Sequence, residues 1–212
     1  MEGIAKKVDE DFAKYPERTY KKGQILFYAG ENPTHVFYIL QGRVRQYDIS
    51  YRGDEVVVNV FRPPAFFPMS WAMNQTENKY FYRTEDTVKV RIIPVEDALE
   101  YVKSNPDVLY DLLGRVYRGA DALIGRLVQL MAGSAKSRLM FELSNEARKL
   151  GADGSEPVQL EITEGDLAAR TGLSRETVSR EVHDLKESGM VSIAKNGVRI
   201  EDLDAINSKL DT

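Results

Sequence analysis

The feature that most constrains the fold is a change of hydrophobic period at Pro94. Before it, apolar residues come in short runs or alternate with period two. After it they recur with the three-and-four spacing of helices. One switch near the middle of a chain predicts a strand-rich unit followed by a helical one, an α+β organisation. Apolar residues make up 42% of the 212 positions, enough for each part to bury its own core.

From about Thr19 to Pro94 the strands are punctuated by glycine. Gln24–Gly30 is an apolar run closed by a turn residue, His35–Gly42 is another, and Arg43–Tyr47 alternates. Arg52-Gly53-Asp54-Glu55 reads as a turn before the β-branched run Val56–Phe61. Thr87–Ile92 alternates as a half-buried strand does. Several short strands at this spacing predict an antiparallel sandwich or barrel.

Beyond Pro94 a short helix is expected over Val95–Lys103, and Asn105-Pro106 opens a longer one. In the long helix Leu113, Val116, Ala120, Leu123, Leu127 and Leu130 follow the a/d spacing of a coiled coil for more than two heptads. Ile124, Val128 and Met131 widen the stripe, so one flank can meet the β unit while the seam meets a second copy. A parallel helix pair, hence a homodimer, is the expectation; a helix packed only on its own domain is the alternative. Ala132-Gly133-Ser134 breaks the helix and is read as a boundary and hinge. This divides the chain into residues 1–107, a dimerisation helix over 108–132, and residues 133–212.

The last part carries the motif. Thr163 is a good N-cap for Glu164–Arg170, Thr171-Gly172-Leu173 is a tight turn, and Ser174 caps a second helix over Arg175–Lys186. Two short helices joined through a glycine turn form a helix-turn-helix. At about 100° per residue, Val178, Val182 and Leu185 gather on the core side. Arg175, Glu176, Ser179 and Arg180 spread over the other side near the helix start, where side chains reach base edges in the major groove. Arginine grips guanine O6 and N7 together, and glutamate accepts from cytosine N4. Ser174, Thr177 and the first backbone N–H groups suit phosphate oxygens. The apolar segments Met190–Ile193 and Val198–Ile200 flank Asn196-Gly197, a hairpin signal, so a wing is expected with Lys195 near its tip as a phosphate contact. An ordinary solvated helix with Arg–Glu pairs is the competing reading of this segment.

Composition removes several function classes. There is no cysteine, which excludes disulfides, thiolate zinc and cysteine-ligated iron–sulfur clusters. His35 and His183 are the only histidines, neither has a partner at metal-ligand spacing, and no metal site is expected. A cupin-like metal enzyme, the alternative from another class, would need clustered histidines; no enzymatic activity is expected. No apolar run approaches the ~20 residues that cross a bilayer, and the charged start lacks a signal-peptide core. A cytoplasmic protein with no membrane partner is expected. The net charge of −4 counts mildly against nucleic-acid binding, although a local basic face matters more than the sum.

The order of β unit, seam helix, hinge and winged helix-turn-helix, with Ser174-Arg175-Glu176-Thr177-Val178-Ser179-Arg180 as its most specific stretch, resembles the Crp/Fnr family of bacterial transcription regulators. The resemblance runs from roughly Lys21 to Glu201. It implies a cyclic-nucleotide-binding-like β-roll, or jelly roll, at the N-terminus, and base contacts by Arg175, Glu176 and Arg180. It also implies an inverted-repeat site in double-stranded DNA with TGTGA- or TTGA-like arms, and RNA polymerase as a further candidate partner. Nucleotide-binding members carry a Gly-Glu pair and a later Arg-Ser/Thr-Ala. Here the corresponding stretches read Phe66-Phe67-Pro68-Met69-Ser70-Trp71-Ala72 and Asn78-Lys79-Tyr80, with Leu123 and Ile124 where the long helix would offer hydroxyls. A phosphate buried without its arginine is costly, so cyclic AMP or GMP is not expected as a cofactor. Phe66, Phe67, Trp71, Tyr80, Phe81 and Tyr82, with Leu123 and Ile124, either line an apolar pocket for an unidentified small-molecule effector or fill the vacated space in a constitutively active dimer. A haem would have only His35 and the methionines as obvious axial ligands. A regulatory subunit that acts on a protein partner instead of DNA is the remaining alternative, and it leaves the Ser174–Arg180 segment without a use.

Overall fold

The period-two segments form two four-stranded antiparallel sheets in the computed structural model, which describes residues 2–210. A helix α1 (Glu2–Asp11) precedes them. The strands are β1 (Glu17–Tyr20), β2 (Ile25–Phe27), β3 (His35–Gln41), β4 (Val44–Ile49), β5 (Glu55–Phe61) and β6 (Ala65–Phe67). After the short α2 (Met69–Asn74) come β7 (Phe81–Thr84) and β8 (Val88–Pro94). One sheet runs β1-β8-β3-β6 and the other β2-β7-β4-β5. Phe27, Phe37, Val44, Phe67, Tyr82 and Val90 pack together in one buried cluster drawn from both sheets.

Helix α3 (Val95–Ser104), α1 and the beginning of α4 (Pro106–Ala132) cover one sheet from outside. This explains why β3 reads as a continuous apolar run. Phe37 and Ile39 join the roll interior, while Val36 and Tyr38 join the helical layer with Val8, Phe12 and Val108. A strand buried on both faces has no polar side to display.

Helix α1 was not expected from the charged start, yet Ile4, Val8 and Phe12 recur at four-residue spacing and face the roll. Its docking is also polar. Tyr101 Oη donates to Asp11 at 2.7 Å, Tyr15 Oη donates to Asp97 at 2.9 Å, and Arg91 meets Asp9 at 3.0 Å. Burial, followed by the hydrogen bond to the Asp11 carboxylate, raises the Tyr101 phenol above its ordinary value of 10.0. A raised phenol stabilises the folded state fully below that ordinary value, and the contribution is lost as pH climbs toward the higher folded value. Tyr101→Phe removes this dependence. The stability gap between wild type and variant in urea unfolding is therefore expected to be constant to about pH 9 and to shrink by about pH 11. A gap that does not change over that interval would contradict the assignment.

The remaining elements are α5 (Ala135–Lys149), β9 (Val158–Leu160), α6 (Glu164–Thr171), α7 (Arg175–Glu187), β10 (Val191–Ala194), β11 (Gly197–Ile200) and α8 (Leu203–Ser208). The third sheet, β10-β11-β9, is antiparallel. The chain divides into two compact units, up to Val116 and from Tyr117 onward. The helix breaks at Gly133-Ser134, as the sequence suggests, but the division between units falls earlier, inside α4.

Candidate nucleic-acid interface

The helix-turn-helix is built by local chemistry. Thr163 accepts from the Asp166 N–H while the Asp166 side chain accepts from the Thr163 N–H, a capping box that starts α6. Gly172 ends α6 in the left-handed region at φ 68°, its N–H donating to Ala168 O. Ser174 then caps α7 by accepting from the Thr177 N–H at 3.1 Å. Val178, Val182 and Leu185 are buried in a core completed by Leu139, Leu143, Leu167 and Ile200. That core fixes the rotation of α7 and hence what it shows to solvent.

Arg175, Glu176, Ser179 and Arg180 are all exposed, along the first half of α7. Ser174 is exposed and Thr177 half-buried, their hydroxyls 2.9 Å apart beside the helix N-terminus. The Arg180 side chain is 68% exposed, its nearest countercharge Glu181 at 3.8 Å. The Arg175 guanidinium lies against Gly165, where an added Cβ would come within 3.3 Å of Nη2. The sequence reading left out His183, exposed seven residues after Glu176 and so on the same helical face. The β10–β11 hairpin turns on Lys195 and Asn196, both exposed; Gly197 already belongs to the ladder, opposite Ala194. Exposed donors at the start of a helix, with a basic wing tip, are suited to contact base edges and phosphates.

Within the β-roll unit, Phe66 and Trp71 pack in one apolar cluster and Phe67, Tyr80 and Tyr82 in another. Phe66 and Phe67 are neighbours on β6 and point to opposite faces. Phe66 packs with Phe12 and Tyr38 in the helical layer, and Phe67 is stacked 5.7 Å from Tyr82 inside the roll. Trp71 joins the first group and Tyr80 the second. Phe81 stacks on Tyr47 at 5.3 Å. Leu123 and Ile124 are exposed on α4. The pleat of β6 decides this outcome, and a list of aromatic residues does not carry it.

The same geometry bears on a cyclic nucleotide. The segment that would cradle a ribose phosphate carries Phe67, fully buried against the Phe61 and Tyr82 rings. The Asn78 amide is used by the carbonyls of Tyr28 and Tyr80. The arginines on the adjacent strands, Arg45 and Arg83, are paired with Glu85 and Glu55. Among the described residues no group of three histidine, aspartate or glutamate side chains could hold a metal ion, and no helix is long and apolar enough to cross a membrane.

A glycine-punctuated β-roll followed by a long helix and a winged helix-turn-helix defines a class, the DNA-binding transcription regulators built on a cyclic-nucleotide-binding fold. Residues 17–105 match the cyclic nucleotide-binding domain family and residues 123–208 the Crp-like helix-turn-helix domain family. The cyclic AMP receptor protein of Thermus thermophilus is 28% identical over 204 residues, covering 94% of this chain and 91% of its own. The global nitrogen regulator of Synechocystis is 23% identical over 90% of this chain and 87% of its own. Among solved structures, a CooA mutant from Carboxydothermus hydrogenoformans superimposes with a TM-score of 0.78 at 19% identity, covering 95% of this chain and 90% of that one. The chain belongs to the Crp/Fnr family and is a DNA-binding transcription regulator of that type.

Proposed function

We propose that the protein acts as a homodimer that binds an inverted repeat with TGTGA- or TTGA-like arms, and that neither cyclic AMP nor cyclic GMP gates it. The observation that carries the reading is the division of α7 into a buried face, Val178, Val182 and Leu185, and an exposed face, Arg175, Glu176, Ser179 and Arg180. In this reading the exposed face enters the major groove, Ser174, Thr177 and Lys195 hold phosphates, and the wing tip flanks the groove.

The dimer is supported by α4. Leu113, Val116, Leu123, Leu127 and Leu130 are all exposed in the single chain, as are Ile124, Val128 and Met131. So long an apolar stripe on one helix marks an interaction surface, and its heptad spacing suits a parallel second copy. Independence from cyclic nucleotides is supported by Phe67 and Tyr82 filling the roll. One named relative is a cyclic AMP receptor, and in this reading the present chain departs from it at the ligand.

The test is selection from a random duplex pool with purified protein at moderate salt, without and then with cyclic AMP. The expected result is enrichment of one inverted repeat, identical in both arms of the experiment. Enrichment only with cyclic AMP overturns the ligand-free part of the reading. Enrichment of a single unrepeated arm overturns the dimer.

A further inference from the structure

The most deeply buried charges of the unit that begins at Tyr117 lie away from the recognition face. Glu142 and Glu146 sit one turn apart on the inner side of α5, 1% and 2% exposed, beside Leu139, Leu143 and Ala147. Two carboxylates in an apolar layer are tolerated only with well-placed countercharges. One is Lys149, on α5 itself, which meets Glu146 at 2.9 Å; the others come from two different helices. Arg126, on α4, donates through Nε and Nη2 to the two oxygens of Glu142, each at 2.8 Å. Arg170, on α6, meets Glu146 at 2.9 Å and Glu142 at 3.5 Å. An ionic path therefore runs from the seam helix through α5 to the first helix of the helix-turn-helix.

The corner between α4 and α5 is closed sterically as well. Gly125 lies directly against the Phe141 ring, where an added Cβ would come within 2.7 Å of Cε2. Arg138 donates to the carbonyls of Gln129 at 3.2 Å and Leu130 at 3.0 Å, capping the end of α4. A Cβ on Gly133 would lie 2.6 Å from the Gln129 carbonyl oxygen. The apolar cluster that holds α5, α6 and α7 together takes no residue from α4. The attachments from α4 thus set the orientation of the module without building its core.

We propose that Arg126 is a positioning residue for DNA recognition. Through Glu142 it locks the helix-turn-helix module to the C-terminal half of α4, so that a dimer presents its two recognition helices at one fixed spacing. Gly133-Ser134 is on this view a closed corner and not the hinge that the sequence suggests. The proposal rests on the dimeric, inverted-repeat reading above.

Arg126→Met in the full chain tests it, with Arg126→Lys as the conservative variant. Binding is measured to the repeat selected by wild type, to the same repeat with its spacer changed by one or two base pairs, and to a single half-site. Wild type is expected to favour one spacer. Arg126→Met is expected to bind the half-site within about twofold of wild type and the selected repeat about tenfold more weakly, the size of a typical coupling between sites. Its preference among spacers should be nearly flat. Arg126→Lys, which keeps the charge but not the two-pronged geometry, should recover part of the preference, and it carries the comparison where the methionine variant does not fold. A folded dimeric variant with the wild-type spacer preference overturns the proposal. So does an equal loss on half-site and full site, which would make Arg126 a support of the module's own fold. Absence of any spacer preference in wild type overturns the lock, whereas wild type binding the half-site as tightly as the full repeat overturns the dimeric reading on which it rests.

Discussion

Arg180→Ala is expected to cut discrimination between the selected repeat and a scrambled duplex sharply while leaving fold and dimer intact. Arg180 is exposed, and its pairing with Glu181 at 3.8 Å is a surface contact of the kind that contributes little to stability. The residues that hold α7 in place, Val178, Val182 and Leu185, lie on the opposite face. In the proposed complex Arg180 grips guanine O6 and N7 together, which discriminates by about 1–3 kcal/mol in each half-site. Two symmetry-related contacts make the loss on the full repeat about 2–6 kcal/mol, while the phosphate contacts and non-specific affinity remain. Competition binding at fixed salt reads this directly. Equal discrimination by variant and wild type would remove Arg180 from the base-reading set.

The second large effect is expected at the seam. Leu123 is 48% exposed in the single chain and belongs to none of its three apolar clusters. Leu123→Glu should therefore leave each protomer folded. At an a/d position of a parallel pair it brings two carboxylates together in an apolar interface, a penalty of several kcal/mol with no countercharge. Sedimentation at micromolar concentration should then report a monomer. DNA binding should fall about 10²–10⁴-fold, because the second half-site no longer benefits from the high effective concentration of a linked module. A wild-type sedimentation coefficient would show that the dimer is formed by a different surface.

The two units differ in how much the chain tells in advance. The helix-turn-helix is readable residue by residue, since each device that makes it acts over three or four positions. Thr163 reaches Asp166, Ser174 reaches Thr177, and Gly172 closes on Ala168. The exposed face of α7 follows from rotation about a helix whose apolar positions are unambiguous. The β-roll is legible as strands but not as an interior. Phe66 and Phe67 look alike in sequence, and they separate into two cores only because β6 has the roll on one side and α1 on the other. The start of the chain reads as charged. Its helix is recognised only once Ile4, Val8 and Phe12 have a surface to cover.

The amino-acid sequence by itself determined the succession of strand-rich unit, seam helix and winged helix-turn-helix, together with the residues α7 turns toward solvent. Period, caps and turns are local interactions, and their partners lie within a turn or two along the chain. Tertiary structure alone decided that Phe66 and Phe67, neighbours on β6, pack in two separate cores. It alone decided that Arg126 and Arg170 converge on Glu142 from positions 16 and 28 residues away. Those outcomes depend on which faces are brought together, and a buried charge shows its partner only when the helices that carry the pair have packed.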